Sequence, residues 1–221
     1  MTTLSFETND GPLAVTITSL TIAGWTGRDP KAVQHHIDEL AAIGVPPPST
    51  VPLFYRVSPS LLCQTDELVV LGEETSGEAE PFLLRAQGKL WLGVASDHTD
   101  RGLEATSVAH SKQVCAKPVA KALWDFDSLS QRTDILQLSS WIEEAGKRKP
   151  YQKGTLASMR PLTELLAGNP LQEDGEAMLC GTLPAIGGVR PASGFGMALH
   201  DDSGGRSIAT DYRIVTVPVV A

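Results

Sequence analysis

The sequence predicts one β-rich α+β domain with few, short helices. Three observations lead there. Short apolar or alternating runs recur along the chain. Hairpin-turn sequences such as Asn9-Asp10-Gly11 and Asp202-Ser203-Gly204-Gly205 separate some of them. Clean helical signals are confined to the segment after Asp29-Pro30 and to a short stretch near 161–167.

The elements follow in chain order. Leu4 and Phe6, then Leu13, Val15 and Ile17, alternate on either side of Asn9-Asp10-Gly11 and predict a β-hairpin. Asp29 is placed to cap a helix with Pro30 at its first position. Val33, Ile37 and Leu40 form its apolar stripe, and Gly44 is its expected stop. Pro46-Pro47-Pro48 is a stiff connector. Strands are expected at 51–58, 67–71, 77–85, 89–95, 135–142, 176–183, 194–201 and 207–219. Residues 102–125 read as helical or irregular, and Lys147-Arg148-Lys149 as part of a hairpin turn. No repeat, low-complexity tract or linker interrupts the 221 residues. The expected organisation is therefore a single domain: an N-terminal hairpin over 1–24, a helix and Pro-rich connector over 25–50 that can serve as a lid, and a core over 51–221.

Composition narrows the function. The formal net charge of −8 disfavours nucleic acid and anionic membranes as partners, since both repel an acidic surface. No apolar run reaches the length of a membrane span. The Met1-Thr2-Thr3-Leu4 start lacks the basic and apolar regions of a secretory leader. Cys63, Cys115 and Cys180 are odd in number and widely spaced, which fits reduced thiols rather than a disulfide framework. A cytoplasmic protein is the expectation.

Three distant fragments carry the chemistry. In Glu78-Ala79-Glu80 the two carboxylates point to one face of a strand. Taken alone this is the pattern of a solvated face, and Pro81 marks an edge or irregular position. Asp97, however, ends the next apolar run, Leu90 to Ala95, so antiparallel neighbours bring a third carboxylate to the pair. Such a cluster repels itself unless a cation joins it, and hard oxygen ligands suit Mg²⁺ or Mn²⁺. The third fragment, Gly181-Thr182-Leu183-Pro184-Ala185-Ile186-Gly187, is a glycine-bounded turn able to bring backbone N–H groups to an anion. Together they predict a metal-dependent enzyme acting on a small oxyacid.

His36 and Glu39 lie three residues apart on the predicted helix, where a carboxylate can orient an imidazole as a base. The alternative is an exposed polar pair. His35 is expected to point away from it. Adjacent histidines and scattered cysteines match no zinc spacing, and there is no serine-hydrolase elbow, dinucleotide fingerprint or P-loop. Nothing local separates Lys112 from an ordinary surface lysine, and Gln152 is unremarkable in isolation.

Taken in order, these segments resemble the fumarylacetoacetate hydrolase superfamily from about residue 22 to the C-terminus. Val33-Gln34-His35-His36-Ile37-Asp38-Glu39 resembles the family's Asn-Tyr-x-x-His-x-x-Glu stretch. Pro52-Leu53-Phe54-Tyr55-Arg56 resembles its following strand, and Glu78-Ala79-Glu80 its Glu-x-Glu strand. Ser96-Asp97-His98-Thr99-Asp100-Arg101 resembles its Asn-Asp-x-(Ser/Thr)-x-Arg-Asp loop. Lys112, Gln152-Lys153-Gly154-Thr155 and Gly181-Thr182-Leu183-Pro184 are similar to its later Lys, Gln and Thr-Gly-Thr-Pro segments. Within the superfamily the chain resembles a bacterial subfamily that carries only a domain-of-unknown-function label. It departs from the pattern in its shorter Glu80–Asp97 stretch, in the missing Tyr before the His, and in Ser96 and Gly102.

The resemblance implies a mixed β-sandwich roll, a homodimer and a Mg²⁺ or Mn²⁺ ion on Glu78, Glu80 and Asp97. It implies His36 and Glu39 as the water-activating pair and Lys112 as the neutraliser of oxyanion charge. Arg101, Gln152 and Thr182 become substrate-binding residues. The implied chemistry is C–C bond hydrolysis in a 2-oxo acid or acylpyruvate, or decarboxylation or isomerisation through the same enolate. A non-catalytic metal- and oxyacid-binding protein on the same fold is the competing reading.

Overall fold

A computed structural model describes residues 2–42 and 46–220, without the Leu40 side chain. Strands β1 (Thr2–Thr8) and β2 (Gly11–Ile17) form the predicted hairpin, with Leu4, Phe6, Leu13, Val15 and Ile17 buried on one face. β3 (Ser19–Gly24) follows at once but leaves the hairpin for the interior of a large sheet. Residues 1–24 are thus not one hairpin unit. Leu20, Thr21, Ile22 and Ala23 are all buried, a continuous run because both faces of this strand are covered.

Helix α1 (Pro30–Ala42) starts where expected, with Asp29 accepting the Lys31 N–H at 2.9 Å. Val33 and Ile37 bury its apolar stripe. The expected stop at Gly44 and the Leu40 side chain lie outside the described residues. β4 (Leu53–Val57), β5 (Leu62–Cys63), β6 (Glu67–Leu71) and β7 (Thr75–Ser76) come next. The β8 (Ala79–Ala86) and β9 (Lys89–Ser96) hairpin turns on Gln87-Gly88, both at positive φ. β10 (Thr99–Asp100), α2 (Arg101–Glu104), α3 (Val108–Gln113), β11 (Lys117–Pro118) and β12 (Trp124–Asp125) resolve the segment that lacked a clean period. The second half contains β13 (Gln137–Glu144), β14 (Lys147–Thr155), α4 (Leu162–Gly168), β15 (Glu176–Leu179), β16 (Gly194–Asp201) and β17 (Arg206–Val217). Lys147 to Lys149 belong to β14, and the turn before them is Ala145-Gly146.

Two sheets organise the chain. One runs β12-β9-β8-β15-β3-β4, the other β14-β13-β16-β17-β6, and both mix antiparallel with parallel pairs. Leu83, Leu92, Val94 and Met178 of the first pack with Leu138, Ile142, Phe195 and Met197 of the second in one core cluster. The other face of the first sheet presents Phe82, Leu84 and Trp91 to the β1–β2 hairpin, with the Phe6 and Phe82 rings stacked 6.4 Å apart. This mixed β-sandwich with few short helices is the predicted fold class. Among the described residues, no helix is long and apolar enough to cross a membrane.

Candidate functional site

Register places the carboxylates. Ala79 pairs with Ser96, and Glu80 with Ala95. The Asp97 N–H donates to the Glu78 carbonyl at 2.9 Å. Glu78 is therefore opposite Asp97, and Glu80, two residues on, points the same way. All three lie on the face of β8–β9 that carries Phe82, Leu84 and Trp91, where the hairpin-covered core ends.

Each carboxylate already has a partner. Arg101 stands 3.2 Å from Glu78 and is held by Ser76 at 2.7 Å and Glu104 at 2.8 Å. Glu80, 2% exposed, accepts the Gly181 N–H at 2.7 Å. Gly181 has φ +87°, and a Cβ there would stand 1.7 Å from Thr26 Oγ1, so glycine is required for the approach. Asp97 is fully buried and accepts a short hydrogen bond from Lys112 on Oδ2. Lys117 stands 3.1 Å from Oδ1, but its ammonium donates to the His98 carbonyl. Oδ1 thus has a cation beside it and no hydrogen bond of its own.

The electrostatics follow from burial and these neighbours. Burial, and then the charges of Asp97 and Glu78, push Glu80 well above the usual carboxylate range, against the pull of Lys112 and the Gly181 N–H. Burial opposes charge on Asp97 too, yet Lys112 and Lys117 together hold it well below that range. Lys112 is buried, but Asp97, Glu78 and Glu80 raise its affinity for a proton, so it remains an ammonium. For Lys117, burial and the Lys112 charge outweigh the pull of Asp97 and lower it. Burial, with Lys117 and Arg101, takes His98 down to about 3, so its ring is neutral. That ring lies 2.9 Å from Thr75 Oγ1 and 3.1 Å from Tyr212 Oη, bracing the loop that carries Asp97.

Three hard oxygen donors on one face, including the unbonded Asp97 Oδ1, are the right kind of ligand for a Mg²⁺ or Mn²⁺ ion. They do not form a closed set as they stand. Among the described residues no three His, Cys, Asp or Glu side chains are gathered to hold a metal ion. Asp97 and Glu78 are paired with cations instead, and Glu80 with the Gly181 N–H.

Gln152 differs from its expected role. It is buried, and its amide is fully used: it accepts from the Ala79 N–H at 2.9 Å and Ser140 Oγ at 2.7 Å, and donates to Thr182 Oγ1 at 2.6 Å and the Leu183 carbonyl at 2.7 Å. Thr182 in turn donates to the Ala79 carbonyl at 2.8 Å. In this arrangement Gln152 has nothing left to offer a substrate carboxylate. Instead it ties the backbone between Glu78 and Glu80 to the 181–183 turn.

The helix residues stand apart from this cluster. His36 Nδ1 is 3.6 Å from Glu39, too long for a hydrogen bond, and both side chains are about 60% exposed. Glu39 is nearer to His35, at 3.4 Å, so the expected divergence of His35 from the pair is not seen. At i and i+4 on a helix the two side chains stack on one face. A run of aromatic contacts leads from α1 to the site. The His36 and Trp25 ring centroids are 5.8 Å apart, the Trp25 indole donates to Tyr55 Oη at 3.3 Å, and the Lys112 ammonium lies 5.7 Å from the Tyr55 ring centroid. Trp25 itself has φ +62°, a strained backbone for a bulky residue. Sequence reasoning missed Trp25, Tyr55 and Lys117. The one local signal for Lys117 was a charge inside the apolar run Cys115-Ala116-Lys117-Pro118-Val119-Ala120.

The family model described as a protein of unknown function (DUF2848) matches residues 23–212. No curated protein matches the chain. Solved structures do. A protein of Oleispira antarctica, provisionally named a fumarylacetoacetate isomerase/hydrolase, is 16% identical with a TM-score of 0.69, over 95% of this chain and 99% of that one. A fumarylacetoacetate hydrolase family protein of yeast is 14% identical with a TM-score of 0.65, over 92% and 95% of the two chains. A maleylpyruvate hydrolase from Sphingobium sp. SYK-6 is 14% identical with a TM-score of 0.62, over 93% and 75%. The fold is that of the fumarylacetoacetate hydrolase proteins, and the chain belongs to the DUF2848 family.

Proposed function

We propose that this DUF2848 member is a divalent-metal-dependent enzyme acting on a small 2-oxo acid or acylpyruvate, as a C–C hydrolase or, with the same residues, a decarboxylase or isomerase. The observation that carries the reading is the placing of Glu78, Glu80 and Asp97 on one face, with a protonated lysine on Asp97. The named activity of one structural neighbour, a maleylpyruvate hydrolase, agrees with the substrate class.

Glu78, Glu80 and Asp97 would hold Mg²⁺ or Mn²⁺, which when bound supplies Lewis-acid polarisation of the substrate carbonyl. Lys112 stays charged, so it acts electrostatically rather than as a base. It neutralises the oxyanion charge that develops as the bond to the substrate's carbonyl-bearing carbon breaks. Arg101 braces Glu78 and adds positive charge for a substrate carboxylate. The Gly181–Leu183 turn, tied down by Gln152, fixes Glu80. His36, aided by Glu39, takes the proton of the attacking water once α1 has brought the imidazole to the substrate.

The exposure of His36 and the sharing of Glu39 with His35 favour a second reading, a metal- and oxyacid-binding protein without catalysis. A screen of 2-oxo acids and acylpyruvates with Mn²⁺ separates the two. The enzyme reading expects turnover that falls about 10²–10⁴-fold in His36→Ala, with oxalate affinity unchanged and His35→Ala near wild type. Turnover untouched by His36→Ala removes the dyad from the mechanism. No turnover across the class, with oxalate bound, leaves the binding reading in its place.

A further inference from the structure

We infer that Lys117 is an internal counter-cation of the carboxylate cluster, a positioning residue that keeps the site assembled without metal and weakens divalent-cation binding. The inference rests on the reading of Glu78, Glu80 and Asp97 as the ligands.

Lys117 is 0% exposed, and a fully buried ammonium is retained only when charge and hydrogen bonding offset its lost hydration. Against that loss its nitrogen lies 3.1 Å from Asp97 Oδ1 and donates to the neighbouring His98 carbonyl. Lys112 already occupies Oδ2 of the same carboxylate, so a second lysine is not needed to pair Asp97. Across the cluster three acidic side chains, Glu78, Glu80 and Asp97, stand beside three basic ones, Arg101, Lys112 and Lys117.

The lysine is also held in place. β11 is fixed by its parallel pairing, Lys117 with Leu62 and Pro118 with Cys63, and the His98 carbonyl anchors the far end of the side chain. The ammonium therefore has no exit to solvent. A divalent ion that takes Asp97 Oδ1, the oxygen with no hydrogen bond, must do so beside a fixed positive charge. Removing that lysine leaves three acidic side chains facing two basic ones, a site that favours a metal.

Mn²⁺ titration calorimetry on wild type and Lys117→Met, with melting curves in EDTA and in Mn²⁺, tests this. The inference expects Mn²⁺ to bind Lys117→Met at least about tenfold more tightly than wild type, as loss of one nearby like charge requires. It also expects the variant's metal-free melting temperature to fall and Mn²⁺ to restore it. A folded variant with wild-type or weaker Mn²⁺ affinity overturns the inference and leaves the ligand assignment standing. If Lys117→Met is unfolded in EDTA, recovery with Mn²⁺ supports the inference, and failure to recover makes Lys117 a structural strut and overturns it. If neither protein binds millimolar Mn²⁺, the ligand assignment itself fails and the inference falls with it.

Discussion

Gln152→Leu isolates the brace beneath the site. The side chain is 1% exposed and makes four hydrogen bonds. Two of its partners adapt: the Ser140 and Thr182 hydroxyls can rotate, and Thr182 keeps its bond to the Ala79 carbonyl at 2.8 Å. The Ala79 N–H and the Leu183 carbonyl do not adapt and are left buried and unpaired. Each such group costs about 1–3 kcal/mol. Burying an apolar leucine returns about 1 kcal/mol. The expected net loss is about 3 kcal/mol, which for a domain of this size lowers the melting temperature by roughly 6–12 °C. Urea denaturation followed by tryptophan fluorescence measures it, with an unchanged m-value as the sign of an intact fold. A residue that served substrate alone would change KM and leave stability alone. A loss below about 1 kcal/mol would refute the bracing argument.

Two further changes probe the same logic. Gly181→Ala forces a Cβ against Thr26 at a positive φ and disturbs the N–H that Glu80 accepts, so urea denaturation should show a loss of about 2–4 kcal/mol, and a neutral result would mean the turn is free to relax. Asp201, with a side chain 0% exposed, is held well below the usual carboxylate range chiefly by its two hydrogen bonds from Arg132, with Ser203, Arg206 and the Gly204 N–H adding to them against burial. Its folded pKa lies below the unfolded value of about 3.9, so its stabilisation is complete above that pH and declines as pH falls toward the folded pKa. Asp201→Asn should therefore cost about 2–3 kcal/mol at pH 7, and the gap to wild type should narrow by about 1 kcal/mol at pH 3; a gap that does not move with pH would show that the charge is not what stabilises.

Legibility in the sequence tracked how local the causes were. β6 and β16 fall at 67–71 and 194–201 as expected, because alternation or flanking turns define them. The face shared by Glu78, Glu80 and Asp97 was also legible, since strand period and one short turn suffice to place them. β3 was not, because a strand covered on both faces loses its alternation. β14 was missed for the opposite reason. It is a polar edge strand, exposed over Lys147 to Pro150, and its proline sits where the pairing with β13 slips. Lys117 and the saturation of Gln152 depend on partners far away in sequence, which no local pattern reports.

The proposed function requires Glu78, Glu80 and Asp97 to hold a divalent cation with an oxyacid beside it. Anomalous diffraction at the manganese edge, from crystals soaked in Mn²⁺ and oxalate, tests it most directly. One anomalous peak is expected at about 2.0–2.3 Å from oxygens of all three carboxylates, with oxalate on its open positions and the Lys112 ammonium beside it. No peak on that face, or a peak at other residues while Lys112 and Lys117 still hold Asp97, would contradict it.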